Sequence, residues 1–150
     1  MSQAKPLPEI VPSPNKGEKR IYCVVAHAVQ VLEYEPGRSF PITNVPSIVQ
    51  PAGRQIAQAC HAANLLRYTL KKNLGEAIFQ PTTTIILQAR DSAEMCHVFT
   101  LLFRKRLIPV IFSDDNPEYG PGNWPTAIAV YASVKQVKNA LDYLPLWGSK

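Results

Sequence analysis

Cysteine is scarce in this chain of 150 residues, and Cys23, Cys60 and Cys96 are odd in number and never spaced as Cys-x-x-Cys. That excludes a disulfide framework and a thiolate zinc site, and it leaves three small buried hydrophobes as the expected role. No metal-ligand spacing joins His27 and His97, each of which reads as structural or solvated. Neither a metal nor a cofactor is expected. Long apolar runs are also missing: none approaches the ~18 residues that span a bilayer, and no apolar leader opens the chain. The expectation is a cytoplasmic protein with no membrane partner. No internal repeat divides the sequence, so one domain is expected.

Acidic residues are in short supply, 11 against 16 Lys and Arg, for a net charge of +5 and a pI of about 9.2. An anionic partner fits that balance, nucleic acid ahead of membrane because no amphipathic basic helix stands out. Proline, by contrast, is plentiful. Pro6, Pro8, Pro12 and Pro14 crowd the start among polar side chains, so residues 1–19 read as a flexible arm before a domain over 20–150. A further cluster from Glu35 to Pro51 breaks any helix and reads as an inserted loop at 35–51.

The remaining segments alternate in period. Arg20 to Tyr34 is β-branched, aromatic and apolar on both faces, a central strand. From Ala52 to about Asn73, Ile56, Ala59, Ala63, Leu66 and Leu70 keep helical spacing. Thr82 to Ala89 is a second strand, and Asp91 to Glu94 resembles a capping box that opens a helix running to Arg106. Ile108 to Phe112 and Thr126 to Ala132 are two further strands, and Ser133 caps a last helix holding Val134, Val137 and Leu141. The order is β-α-β-α-β-β-α. Its crossovers predict an α/β single domain with a four-stranded, mixed or mostly parallel sheet covered by helices.

The stretch GRQIAQACHAA, Gly53 to Ala63, carries Arg54, Gln58 and His61 at spacings of four and three. With Arg54 at zero on a helical wheel, Gln58 falls near +40° and His61 near −20°, by a turn of about 100° per residue. The three polar groups therefore share a face, expected to lie away from the core stripe. Gly53 precedes them at the helix start, where free N–H groups and the positive dipole end favour an anion.

This stretch resembles the signature of the archaeal and eukaryotic, type 2, peptidyl-tRNA hydrolases, G-K-x-x-A-Q-x-x-H-A-A, through Gly53, Ala57, Gln58, His61, Ala62 and Ala63. The likeness continues from Thr83 to the C-terminus, through LIPVIFSDD and PGNWPTAIAV. It implies hydrolysis of the ester between peptide and tRNA, with His61, Asp114, Arg54 and Thr126 as the catalytic set. It also implies tRNA or peptidyl-tRNA as partner, contacted by Arg54, Gln58 and Trp124 near the site. Arg67, Lys71 and Lys72 at the end of the first helix, and Arg104, Lys105 and Arg106 at the end of the second, would meet more distant backbone.

Two departures from the family pattern carry chemistry. Arg54 stands where the family has lysine, and a guanidinium binds an oxyanion but does not act as a base. After Asp114 the chain reads Asp115-Asn116-Pro117-Glu118 in place of Ala-Gly-x-Thr. The alternative expectation is thus a non-catalytic module that keeps this fold and binds RNA or protein. Its contacts would run through the arm or the 35–51 insertion, with a homodimer also open.

Overall fold

A computed structural model describes residues 18–30, 47–75, 82–119 and 123–149. Nearly all of the arm and most of the 35–51 insertion lie outside the described residues. The elements run β1 (Lys19–Gln30), β2 (Ser47–Val49), α1 (Ala52–Leu74), β3 (Thr84–Asp91), α2 (Ser92–Arg104), β4 (Val110–Asp114), a single 3₁₀ turn (Pro117–Tyr119), β5 (Trp124–Ser133) and α3 (Val134–Val137).

β1 is the spine of the sheet. Its residues Ile21 to Val25 pair with β3 in parallel and with β5 antiparallel at the same time, one partner on each edge. β4 pairs antiparallel with β5 beyond it, and β2 adds an antiparallel partner to the end of β1. The expected four-stranded, mixed or mostly parallel sheet is therefore corrected: the class is α/β, but the sheet has five strands and is mostly antiparallel. The physical reason is the place taken by β5. β1, β3 and β4 all point the same way, as crossover connections require, yet β5 lies between β1 and β4 and leaves β1–β3 as the parallel pair. The fifth strand, β2, is built from the last residues of what reads in sequence as a proline-broken loop.

Alternation along β1 explains its apolar character on both faces. Ile21, Cys23 and Val25 turn to α1 and its Ala59, Ala62, Leu66 and Leu70. Tyr22, Val24 and Ala26 turn to α2, with Met95, Val98 and Leu102, and to the C-terminal residues Val137, Leu141 and Leu144. Moving from β1 to β3 and then back across to β4 reverses direction along the sheet. Right-handed crossovers in opposite directions put α1 and α2 on opposite faces, which gives three layers.

Cap chemistry sets the ends. Gly75 closes α1 in the left-handed region at φ 63°. Asp91 accepts from Glu94 N–H at 2.8 Å, while the Glu94 carboxylate takes Arg90 N–H at 3.0 Å, one residue earlier than a capping box would have it. α2 ends at Arg104, short of the expected Arg106. α3 has a full Ser133–Gln136 capping box but makes one turn: Asn139 adopts φ 69°, so Leu141 reaches the core from turns rather than from a helix. Of the cysteines, Cys23 is buried, Cys96 half-buried and Cys60 exposed, so the expectation of three buried hydrophobes holds for the first alone. Cys60 falls on the outer side of α1, one residue past the buried Ala59.

Candidate functional site

α1 lies along β4 and runs opposite to it, so each turn of the helix meets a different point on that strand or just beyond it. Arg54 Nη1 donates to Glu118 Oε2 at 3.1 Å and to Tyr119 Oη at 3.3 Å. One turn on, Gln58 Nε2 donates to Asp114 Oδ2 at 2.7 Å. One turn further, the His61 ring stacks on Phe112 with centroids 4.8 Å apart and planes 24° from parallel. The face of α1 that carries the three polar groups is thus not turned away from the fold; it leans over the strand. The buried stripe is rotated accordingly, with Gln55, Gln58, Ala59, Ala62, Leu66 and Leu70 inside and Ile56 and Ala63 only half-buried.

Each contact has its own electrostatics. The hydrogen bonds that Arg54 donates, to Tyr119 first and then to Glu118, hold its guanidinium still more firmly protonated than usual, which removes it as a base. Its ion pair with Glu118 is solvent-facing, worth no more than ~1 kcal/mol by the usual measure of such pairs. Asp114 is half-buried, and Trp124 sits directly across the ladder from it on β5. The register slips between Phe112 and Ser113, passing over Thr126, and the ladder resumes as Ser113 with Pro125 and Asp114 with Trp124. Gln58 is 4% exposed, and its Oε1 has no donor among the described residues. Turning the amide over would set two oxygens face to face at Asp114, so the donor must come from elsewhere.

The structure brings Arg54, Gln58, Asp114, His61 and Trp124 to one side of the molecule, at the C-terminal end of β4. They form a row rather than a single cluster: Arg54 and His61 are seven residues apart on α1, roughly 10 Å along the axis. No hydrogen bond joins His61 to Asp114 among the described residues. Thr126 is not part of the row. It is fully buried, and its hydroxyl donates to Phe112 O at 3.4 Å inside the sheet. Arg67, Lys71, Lys72, Arg104, Lys105 and Arg106 sit at the far ends of α1 and α2, away from Asp114. His27 and His97 are exposed.

Sequence reasoning missed what anchors the row. Tyr119 is fully buried and donates to Gln50 Oε1 at 3.2 Å. Gln50 Nε2 donates to Ala26 O at 2.6 Å, and its carbonyl accepts from Gln55 Nε2 at 2.8 Å. Gln55 Oε1 accepts from Gln88 Nε2 at 2.8 Å and from Trp147 Nε1 at 3.1 Å. A polar chain therefore runs from half-buried Arg54 into the protein, with Gln50 and Gln55 buried and partnered. The available signal was weak: a glutamine before Pro51 and another four residues after it.

No group of His, Cys, Asp or Glu among the described residues is placed to hold a metal ion, and no helix among them is long and apolar enough to cross a membrane. No family model matches this chain, and no curated protein matches it.

Proposed function

We propose that this protein hydrolyses the ester linking peptide to tRNA in peptidyl-tRNA and releases free tRNA. The observation that carries this reading is the 2.7 Å bond from Gln58 to Asp114, which fixes a half-buried carboxylate between a guanidinium and an imidazole. Ester hydrolysis needs a proton acceptor for water and a positive group for the developing oxyanion or the substrate phosphate. Asp114 takes the water's proton. Gln58, its NH₂ committed to Asp114, offers Oε1 to the same water's other hydrogen and so orients it. Arg54 exchanges Glu118 for a phosphate or the oxyanion, a role that suits a fixed fork of donors. His61 and Trp124 flank the carboxylate as ring surfaces for a terminal base or an amino-acid side chain. Thr126 supports this arrangement by bracing β5 against Phe112. The basic ends of α1 and α2 meet more distant tRNA backbone.

Release of peptide from peptidyl-tRNA by the full chain tests this directly. Asp114→Asn keeps the Gln58 contact sterically possible but cannot accept the proton, so turnover falls by ~10²-fold or more while tRNA binding persists. Unchanged turnover in Asp114→Asn removes the mechanism.

One observation favours a second reading: the Arg54 cation is already paired with Glu118. In a non-catalytic RNA-binding module that pair would persist. Such a module binds tRNA with a strong salt dependence and releases no peptide.

A further inference from the structure

At the opposite end of the sheet, where the proposed function leaves only a general basic surface to distant tRNA backbone, the end of α2 holds a more specific feature. α2 terminates in a Schellman motif: Leu107 N–H bonds Leu102 O at 3.2 Å and Arg106 N–H bonds Phe103 O at 3.0 Å. Leu102 and Leu107 pack in the same core cluster, the apolar contact that accompanies such an ending. The residue between, at the left-handed position with φ 63°, is Arg106. Glycine is the usual occupant because a Cβ is strained there, and α1 of this same chain does place Gly75 at its own left-handed end. An arginine at that point costs stability and gains something else.

Arg106 lines a cavity of about 160 Å³, whose apolar lining is Leu70, Leu107 and Ile108. Lys19, Tyr131 and Gln136 complete the polar wall. Lys19 Nζ lies 5.3 Å from the centre of the Tyr131 ring, which steadies the ammonium at the cavity. Gln136 Oε1 is occupied by Ser133 N–H at 2.8 Å, so the group left to face the cavity is its NH₂. Guanidinium, ammonium, carboxamide NH₂ and phenol O–H all donate, and no carboxylate lines the cavity among the described residues. Of the last carbonyls of α2, those of Leu101, Leu102 and Phe103 already accept backbone bonds, which lessens the negative pole that the basic side chains have to offset.

We infer that this cavity, walled by Arg106, Lys19, Tyr131 and Gln136, binds a phosphate group. The group belongs either to free phosphate or to an RNA backbone. The inference is independent of any activity at Asp114, because the cavity and the Asp114 row occupy opposite ends of the sheet.

Titration of the full chain with inorganic phosphate, followed by backbone amide resonances, is expected to shift Lys19, Arg106, Leu107 and Tyr131 saturably. Arg106→Gly separates binding from folding, since glycine suits the backbone: phosphate affinity falls at least tenfold while Tm rises by ~2 °C. Lys138→Ala makes the same charge change at an exposed residue outside this cavity and leaves affinity unaltered. A parallel titration with a short oligouridine distinguishes the sources. Shifts of the same resonances at lower concentration identify RNA backbone, and shifts with phosphate alone identify the free anion. Absence of saturable shifts with both probes overturns the inference. So does equal loss of affinity in Arg106→Gly and Lys138→Ala, which would reduce the effect to net charge.

Discussion

Removing one oxygen, the Tyr119 hydroxyl, tests whether the buried polar chain holds the Asp114 row in place. In Tyr119→Phe the ring still fills its fully buried space, so no cavity forms. What changes is hydrogen bonding. The hydroxyl donates to Gln50 Oε1 and accepts from Arg54 Nη1. Arg54 keeps Glu118 and reaches solvent, so its loss is small. Gln50 is 1% exposed and has no such recourse. Its oxygen is left buried without a donor, at a cost of ~1–3 kcal/mol. For a urea slope of ~2 kcal/mol/M, that lowers the unfolding midpoint by roughly 0.5–1.5 M with the slope unchanged. A second variant sharpens the argument. Gln50→Met removes the stranded acceptor along with its bond to Ala26, so Tyr119→Phe added to it costs less than alone, by ~1 kcal/mol. A Tyr119→Phe midpoint within error of the parent, or strict additivity in the double variant, would refute the chain as a structural unit.

Two further outcomes follow from the same geometry. Glu118→Gln frees the Arg54 cation at a stability change below ~1 kcal/mol, and filter binding at low salt should show tRNA affinity raised a few-fold; a fall in affinity would mean that Glu118 positions Arg54 rather than competing for it. Burial first, and the neighbouring Cys60 second, push the Cys23 thiol from 9.0 up to about 12. An acid whose native pKa is raised stabilises the fold fully below the unfolded value and loses that contribution as pH climbs from 9 towards 12. Unfolding free energies from urea titrations should therefore drop over that window, by on the order of 4 kcal/mol at most, and a Cys23→Ala chain should show a flatter alkaline limb; parallel limbs would show that Cys23 is not responsible.

Period and cap signals made the main helices and strands legible because they are local. Apolar residues at helical spacing mark α1 whatever it packs against, and a run such as Tyr22 to Ala26 can only be a strand covered on both faces. Strand order was not legible, because nothing in β5 says which edge it will join. Thr126 to Ala132 read as buried, and it is buried because it fills the slot between β1 and β4, where an antiparallel strand replaces the expected parallel neighbours. β2 was hidden for a different reason. It is three residues long and takes its stability from the end of β1, so no propensity of its own announces it.

The row on α1 shows the same division between local and non-local information. Spacing placed Arg54, Gln58 and His61 on one face, and that face exists. What spacing could not tell was that the face lies on β4, because the helix is rotated by the need to bury Gln55 and Gln58 together with Ala59 and Ala62. Burying two glutamines is favourable only where their amides meet partners, and those partners come from Gln88, Gln50, Trp147 and Asp114, up to 92 residues away in sequence. Gln55 finds partners for both ends of its amide, whereas Gln58 Oε1 has no donor among the described residues. A fold optimised for stability alone would have spent that position on an apolar side chain. In the proposed hydrolysis, that acceptor beside Asp114 is the place for the attacking water.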